Sequence, residues 1–517
     1  MSAKTWLDLL RAANLVPCTP PGANPTIHAV VNDSRKVTPG ALFVAYRGVE
    51  RDGHRYIADA LQRGAVAVVA EDEATLTALR AQGVPCAHAP HGRQAFAWLC
   101  SAWHGFPSQR LTVIGVTGTD GKTTTTNLIF NILRAAGLRV GMISTVNAVI
   151  GEQVLDTGLH TTTPDADAMQ HYLAQMRDAG MTHAVLEVTS HGLAQHRVDG
   201  TNFKVAVVTN ITHDHLDLHG SREAYRAAKA RLFEMAPVHV LNVDDDFSFS
   251  YLAALPAEQR IFYSREQPPQ GQRADWWLYP LRVDHAQGHI EVMALQRSGA
   301  RVPFAVRTSL IGDYNVSNIL AAASAAWALG VPTEAIAAGV AAVHGIPGRM
   351  ERIDEGQDYL AIVDFAHTPN ALEQCLRTLR PLTAGRLIVV FGCAGERDVQ
   401  KRFLMGRIAA ELADVAIFTA EDPRREPIAA IFAEMQRGVA AATPKRAEVL
   451  EIADRGAAIL AACQMARAGD TVVACGKGHE QSLCFGTTEY AWDDRKAMRL
   501  AIRGVKPELG PPVGTMF

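Results

Sequence analysis

Long apolar runs are missing from this chain, and no stretch approaches the roughly 18 consecutive apolar residues that a membrane span requires. An excess of either charge is missing too. With 50 Lys and Arg against 53 Asp and Glu the formal net charge is −3, which leaves no electrostatic footprint for nucleic acid or a membrane surface. Paired cysteines are absent as well: Cys18, Cys86, Cys100, Cys375, Cys393, Cys463, Cys475 and Cys484 are scattered, with no C-x-x-C among them. That argues against a zinc site or a disulfide framework and for a reducing cytoplasm. The opening stretch MSAKTWLDLLRAANL reads as an amphipathic helix rather than a secretion signal, because Asp8 and Arg11 interrupt any apolar run.

What is present is material for several cores. At 517 residues, 48% hydrophobic and 20% charged, the composition is that of a soluble globular protein, and a prior of about 150 residues per domain suggests three domains.

The most informative stretch is LTVIGVTGTDGKTTTTNLIF, from Leu111 to Phe130. A short β-branched run predicts a buried parallel strand, followed by a glycine-rich turn and a helix that begins near Lys122. Glycines let several backbone N–H groups face a phosphate chain, the helix N-terminus adds its positive end, and Lys122 supplies a mobile charge for the β- and γ-phosphates. Thr123 or Thr124 would hold a magnesium ion through its hydroxyl. The commonest phosphate loop has glycine where this chain has Val116. A glycine-rich turn in an ordinary α/β protein is the plain alternative, yet Gly-Lys-Thr follows a strand and opens a helix as a nucleoside triphosphate site requires.

Residues 1–108 read as an α/β domain of their own, with strands expected at 41–45 and 65–70 around a helix at 56–63. Asp33, Ser34 and Arg35 precede a turn there; residue types leave open whether they cap it or meet a ligand. Pro107 and Ser108 mark a boundary, and the phosphate loop opens a second domain, 109–342, with further parallel strands at 139–143, 184–188 and 204–210. Glu187 lies within an otherwise apolar strand, where a magnesium ligand is favoured over a structural acid. The next strand leads into TNITHDHLDLHG, which carries His213, Asp214, His215, Asp217 and His219. That density of histidine invites a zinc reading; the lack of nearby thiols and the adjacent phosphate loop favour magnesium with at most one imidazole. Lys229 follows on a helix with Ser221 as its expected N-cap, a setting in which lysine is commonly just solvated. Hairpins are expected after about residue 253, then a helix with a small-residue face at 311–330. A third α/β domain, 343–517, sends polar loops from strands ending near Asp364, 392, 419 and 475 to one sheet edge. Arg397, Arg424, Lys477 and Glu480 are placed there.

TGTDGKTTTT, EVTSHGL, TNITHDHLDLHG with its following lysine, NVSN, GIPGRME, VDFAHTPNAL, FGCAGERD and GKGHE resemble, in order and spacing, the Mur ligases that build the peptidoglycan precursor. The resemblance covers all three domains. The DSR element, HTTTPD, QHRV and GKGHE match the members that add the third amino acid to UDP-N-acetylmuramoyl-L-alanyl-D-glutamate. It implies a three-domain α/β fold: an N-terminal UDP-binding domain, a central, mostly parallel phosphate-loop domain and a Rossmann-like C-terminal domain.

The resemblance also implies roles. Gly118, Thr119, Asp120, Gly121, Lys122, Thr123 and Thr124 form the ATP loop, and Asn315, Arg349 and Asp364 lie in motifs that meet the nucleotide. Thr123, Glu187, His215 and Lys229 match the magnesium site, Lys229 as a lysine carbamylated by carbon dioxide so that a cation becomes a metal-holding carboxylate. Lys122, His215 and Lys229 are thereby the catalytic set. Asn32, Ser34, Thr162, Thr163, Ser190, Gln195 and Arg197 match positions that bind the nucleotide-sugar dipeptide. Arg397, Asp422, Arg424, Gly476 and Glu480 match positions around the incoming amino acid. The implied reaction activates the dipeptide's terminal carboxylate as an acyl phosphate at the expense of ATP, after which an amine displaces phosphate. Small-molecule substrates, no nucleic acid, a cytoplasmic location and a monomer are expected.

The chain departs from the family in its loop and in its amino-acid site. Asp120 stands where Asn is usual, adding negative charge beside the triphosphate. Glu421-Asp-Pro-Arg424 replaces the Asp-Asn-Pro-Arg of enzymes that select meso-diaminopimelate. Arg424 keeps its grip on a distal carboxylate, whereas an acidic Asp422 would repel one and favour a bare ammonium, so diaminopimelate and a lysine- or ornithine-type acid both stay open. A folylpolyglutamate-type ligase would have no use for the first domain. A non-catalytic nucleotide-binding regulator would not need Glu187, His215 and Lys229.

Overall fold

The computed structural model describes residues 4–18, 24–48, 51–155, 162–212, 220–268, 274–285 and 287–515. The expected amphipathic opening becomes the helix Trp6–Ala12, and Asp8 has a structural use: Thr5 and Asp8 form a reciprocal capping box at its start. Next comes a four-stranded parallel sheet, Ala29–Val31, Ala41–Ala45, Ala65–Ala70 and Cys86–His88 in that order. Its inner strands are almost wholly apolar and buried, as parallel strands covered on both faces must be.

The central sheet has eleven strands. Its parallel heart runs Val140–Ile143, His183–Glu187, Thr112–Thr117, Phe203–Val208, Val238–Asn242 and Gln259–Tyr263. The expected hairpins extend one edge as Trp276–Asp284, His289–Gln296 and Arg301–Arg307. Lys122–Ala135 and the alanine-rich helix Asp313–Ala328 bury Leu128, Ile132, Ile319 and Ala323 with Ile114 and Val116 on one face. Ala166–Asp178 and Arg222–Glu234 cover the other, burying Leu173 and Phe233 with Val113 and Leu186. Thr112–Thr117 lies between His183–Glu187 and Phe203–Val208, so three loops meet at the carboxyl ends of these strands.

A six-stranded sheet follows in the order Glu351–Ile353, Leu360–Asp364, Thr471–Cys475, Leu387–Phe391, Val415–Phe418 and Glu448–Glu451, parallel except for the first strand. A small antiparallel sheet of Ser482–Phe485, Thr488–Ala491 and Pro512–Thr515 closes the chain; periodicity did not anticipate it because each strand is only four residues long.

Candidate active site

The carboxyl ends of the central and C-terminal sheets face a shared cavity of about 790 Å³. Thr112–Thr117 delivers the loop and Lys122–Ala135 begins directly after it. Glycine is obligatory in this turn: a Cβ on Gly118 (φ +149°) would stand 1.8 Å from Thr209 Oγ1, and one on Gly121 (φ +81°) 2.3 Å from Asn318 Oδ1. The neighbouring strand end braces the loop, since the Thr119 and Asp120 N–H groups donate to Asn210 O (2.7 Å) and Oδ1 (3.1 Å). Lys122 lines the cavity with Nζ turned back onto Thr119 O, 2.8 Å away.

Between Thr123 and Thr124, Thr123 is the hydroxyl aimed at the acid. Its Oγ1 donates to both Glu187 carboxylate oxygens at 3.1 Å and accepts from Arg349 Nη2 at 3.2 Å. Glu187 is 1% exposed, and its Oε2 also accepts from the Thr145 amide at 2.9 Å. A buried carboxylate against a hydroxyl is a hard-oxygen donor set that suits magnesium. Lys229, equally buried, donates to Gly118 O at 2.6 Å and lies over the Tyr225 ring. His213 to His219, and hence His215, lie outside the described residues.

Thr162, Thr163, Ser190 and Arg197 line the same cavity. Arg197 donates to Thr163 O (2.8 Å) and pairs with Asp165 (3.0 Å), and Gln195 Oε1 accepts from its Nε and Nη2. Gln195 therefore steadies Arg197 from behind. Asn32 and Ser34 are not among the cavity's lining residues: Asn32 donates to Tyr46 Oη at 2.6 Å and Ser34 is buried in a short turn that Asp33 caps.

From the C-terminal side come Asp364, Arg397, Asp422, Arg424, Gly476 and Glu480, with Asn315 and Arg349 beside the loop. Asp364 accepts from the Met350 (2.6 Å) and Ala366 (2.9 Å) amides, and burial raises its pKa above the usual range. Asp422 departs from expectation. Both its oxygens are 3.0 Å from Nζ of the buried Lys477, which also pairs with Glu480 at 2.5 Å. Burial pulls the Lys477 pKa down, but Glu480 and Asp422 outweigh it and the net shift is upward, so Lys477 is a cation held between two acidic side chains and Asp422 is not a bare repelling acid. Next to it, Glu421 Oε2 and Arg424 Nε are buried without a hydrogen-bond partner among the described residues.

The residues 26–104, 116–326 and 348–478 match, in turn, family models described as "Mur ligase family, catalytic domain", "Mur ligase middle domain" and "Mur ligase, glutamate ligase domain". A UDP-N-acetylmuramyl-tripeptide synthetase of Roseiflexus sp. (strain RS-1) is 44% identical over 94% of this chain and 96% of its own. The chain belongs to the Mur ligase family. A UDP-N-acetylmuramoyl-L-alanyl-D-glutamate--2,6-diaminopimelate ligase of Geobacillus kaustophilus (strain HTA426) is 41% identical over 93% of this chain and 96% of its own. A solved structure with the same description is 34% identical, with a TM-score of 0.62 over 92% of this chain and 95% of its own.

As a Mur ligase the protein is an ATP-dependent ligase. Lys401 and Asn370 are among the cavity residues that escaped the sequence reading. Lys401 is the second residue of the helix Gln400–Leu412, just after the GERD stretch, with no signal beyond its type, and Asn370 lies within VDFAHTPNAL, where nothing local marks its side chain as one that reaches the phosphate loop. Glu421 was legible as part of an altered motif, but only packing shows that its Oε2 is buried without a hydrogen-bond partner among the described residues.

Proposed function

We propose that this protein adds meso-diaminopimelate to UDP-N-acetylmuramoyl-L-alanyl-D-glutamate, forming an amide while ATP is cleaved to ADP and phosphate. The observation that carries the choice of amino acid is the pair of orphaned buried atoms, Glu421 Oε2 and Arg424 Nε, in one cavity wall. An acceptor and a donor from the same cavity lining complement a zwitterionic centre, ammonium on the glutamate and carboxylate on the arginine. The distal end of diaminopimelate carries both groups; lysine and ornithine leave the buried arginine nitrogen without a partner, a loss of roughly 1–3 kcal/mol. With Lys477 beside Asp422, the repulsion of a distal carboxylate is weakened, although Glu480 shares the same cation.

The residues divide the work by position. In this reading the 118–124 loop and Lys122 hold the triphosphate, Asn315, Arg349 and Asp364 meet the nucleotide, and Thr162, Thr163, Ser190 and Arg197 orient the dipeptide's terminal carboxylate towards the γ-phosphate. Asn32 and Ser34, in the 1–108 domain, take the uridine end. Thr123, Glu187, His215 and a carbamylated Lys229 would hold magnesium, which supplies positive charge where two anions must approach. Carboxylate attack on the γ-phosphate gives an acyl phosphate, and the amine then displaces phosphate through a tetrahedral intermediate. Arg397, Asp422, Arg424, Gly476 and Glu480 bring that amine from the 343–517 domain, so the reaction is completed where the two domains meet and water is excluded. We place the reaction in the cytoplasm and assign it to a monomer; among the described residues, no helix is long and apolar enough to cross a membrane.

An amino-acid-dependent phosphate-release assay with UDP-N-acetylmuramoyl-L-alanyl-D-glutamate and ATP tests the reading. Diaminopimelate should exceed lysine and ornithine in kcat/KM by about tenfold or more. Equal or greater activity with lysine would reject the amino-acid assignment, and no release with any of the three would reject the reaction.

A further inference from the structure

Arg455 is buried at the start of the helix Arg455–Met465, its side chain 1% exposed; it does not line the cavity, although its charge acts on Glu421. Its guanidinium meets three elements at once. Nη1 donates to Ala420 O at 3.1 Å, Nη2 donates to Cys475 O at 2.9 Å, and Nε and Nη2 pair with the two Asp494 oxygens at 2.8 and 2.5 Å. Asp494, 0% exposed, is in turn fixed by Trp492 Nε1 at 2.7 Å.

The two carbonyls are informative by their place in the chain. Ala420 immediately precedes Glu421, and Cys475 immediately precedes Gly476. The strands behind them, Val415–Phe418 and Thr471–Cys475, are not neighbours, because Leu387–Phe391 runs between them. No ladder bond links these strand ends directly, and at two strand spacings they are about 10 Å apart. Their loops nevertheless touch: a Cβ built on Gly476 would stand 3.0 Å from Glu421 Oε2. A planar fork with five donors can span such a gap where a lysine ammonium cannot.

We propose that Arg455, held by Asp494 and Trp492, is the positioning residue of the amino-acid site, setting the separation of the Glu421–Arg424 and Gly476–Glu480 loops on which recognition of the diamino acid depends. The proposal rests on the assignment of those loops to the amino acid. Stability alone does not account for the pair, since replacing a buried ion pair by apolar groups of similar volume is often neutral or stabilising. What the apolar replacement forfeits is the bridge between the two carbonyls.

The decisive variant is the double substitution Arg455→Met with Asp494→Leu in the full-length enzyme. It should still fold, with an unfolding midpoint lowered only as far as the unpaired carbonyls and Trp492 N–H require, while the KM for diaminopimelate rises about tenfold or more and the KM values for ATP and the nucleotide-sugar dipeptide stay within about twofold of wild type. An unchanged KM for diaminopimelate in the folded double variant, or an equal rise for all three substrates, overturns the proposal. Should the double variant not fold, Arg455→Lys keeps the charge but not the span and is held to the same selective KM change. Hydrogen exchange separates this proposal from the reading beneath it. The amides of residues 420–426 and 475–481 should exchange faster in either variant while those of 364–370 do not, whatever the substrate proves to be; unchanged protection of both segments overturns the clamp. Wild-type enzyme that releases no phosphate with any diamino acid would reject the function instead.

Discussion

Asn370, in the first turn of the helix Pro369–Leu379, donates its side-chain amide to the carboxylate of Asp120 in the phosphate loop at 2.8 Å. The acid that stands where asparagine is usual is thus met by a neutral amide reaching across from the C-terminal sheet. An amide adds no positive charge, and a carboxylate brings one more negative charge than asparagine would to the loop that meets a triphosphate. Asp120→Asn should therefore lower the KM for ATP by about threefold to tenfold, a gain on the order of 1 kcal/mol from removing one like charge. Asn370→Ala should raise it. Steady-state kinetics with the other substrates saturating provide the measurement, and an ATP KM that moves in neither variant would mean that this contact has no bearing on the nucleotide.

Lys229 is almost wholly buried beside the loop, with its nitrogen 2.6 Å from Gly118 O. A carbamate there would need carbon dioxide and this nitrogen. Lys229→Ala should abolish ligation with no recovery in high bicarbonate, whereas wild-type enzyme depleted of carbon dioxide should regain activity when bicarbonate is restored. Full activity in the alanine variant removes the carbamate from the account.

Much of this was legible along the chain because the site is built from strand ends. Gly118, Lys122, Thr123 and Glu187 each sit at the carboxyl end of an apolar run or just past it, and in a parallel sheet such ends share one edge. Local pattern does not encode which distant groups meet there. Asp422 read as a free acid because Lys477, 55 positions away, is its partner only after two strands align. Arg455 went unmarked in the sequence, because the carbonyls that it bridges lie 35 and 20 positions away. Asn32 and Ser34 read as ligand positions by resemblance, while their contacts here are within their own sheet region.

Glu421 supplies a pH signature. Its pKa is pushed up to about 7: burial is the largest cause and Asp422 adds to it, while Lys401, Lys477 and Arg455 pull the other way. A carboxyl with a raised folded-state pKa is favoured in its neutral form, so its contribution is complete below the ordinary value near 4.5 and is lost as pH rises through about 7. The loss amounts to roughly 3 kcal/mol at most. Glu421→Gln has no such titration. Denaturation midpoints of the variant and the wild type should diverge in the variant's favour between pH 5 and pH 8, and parallel midpoints across that range would contradict a buried titrating acid. The same variant should raise the KM for diaminopimelate, because an amide cannot hold an ammonium as a carboxylate does.

Lys477 and Asp422 form a pair whose two halves should fail differently. Lys477→Met leaves Asp422, 6% exposed, with the Cys484 amide but without its cation. Losing one partner of a buried pair costs about 3–5 kcal/mol, and the uncompensated negative charge would repel a distal carboxylate. The single variant should therefore unfold at a lower temperature and turn from diaminopimelate towards lysine. Adding Asp422→Asn removes the repelling charge and should restore most of the preference for diaminopimelate. If the single variant keeps its preference, discrimination lies with Arg424 alone and Lys477 serves only the fold.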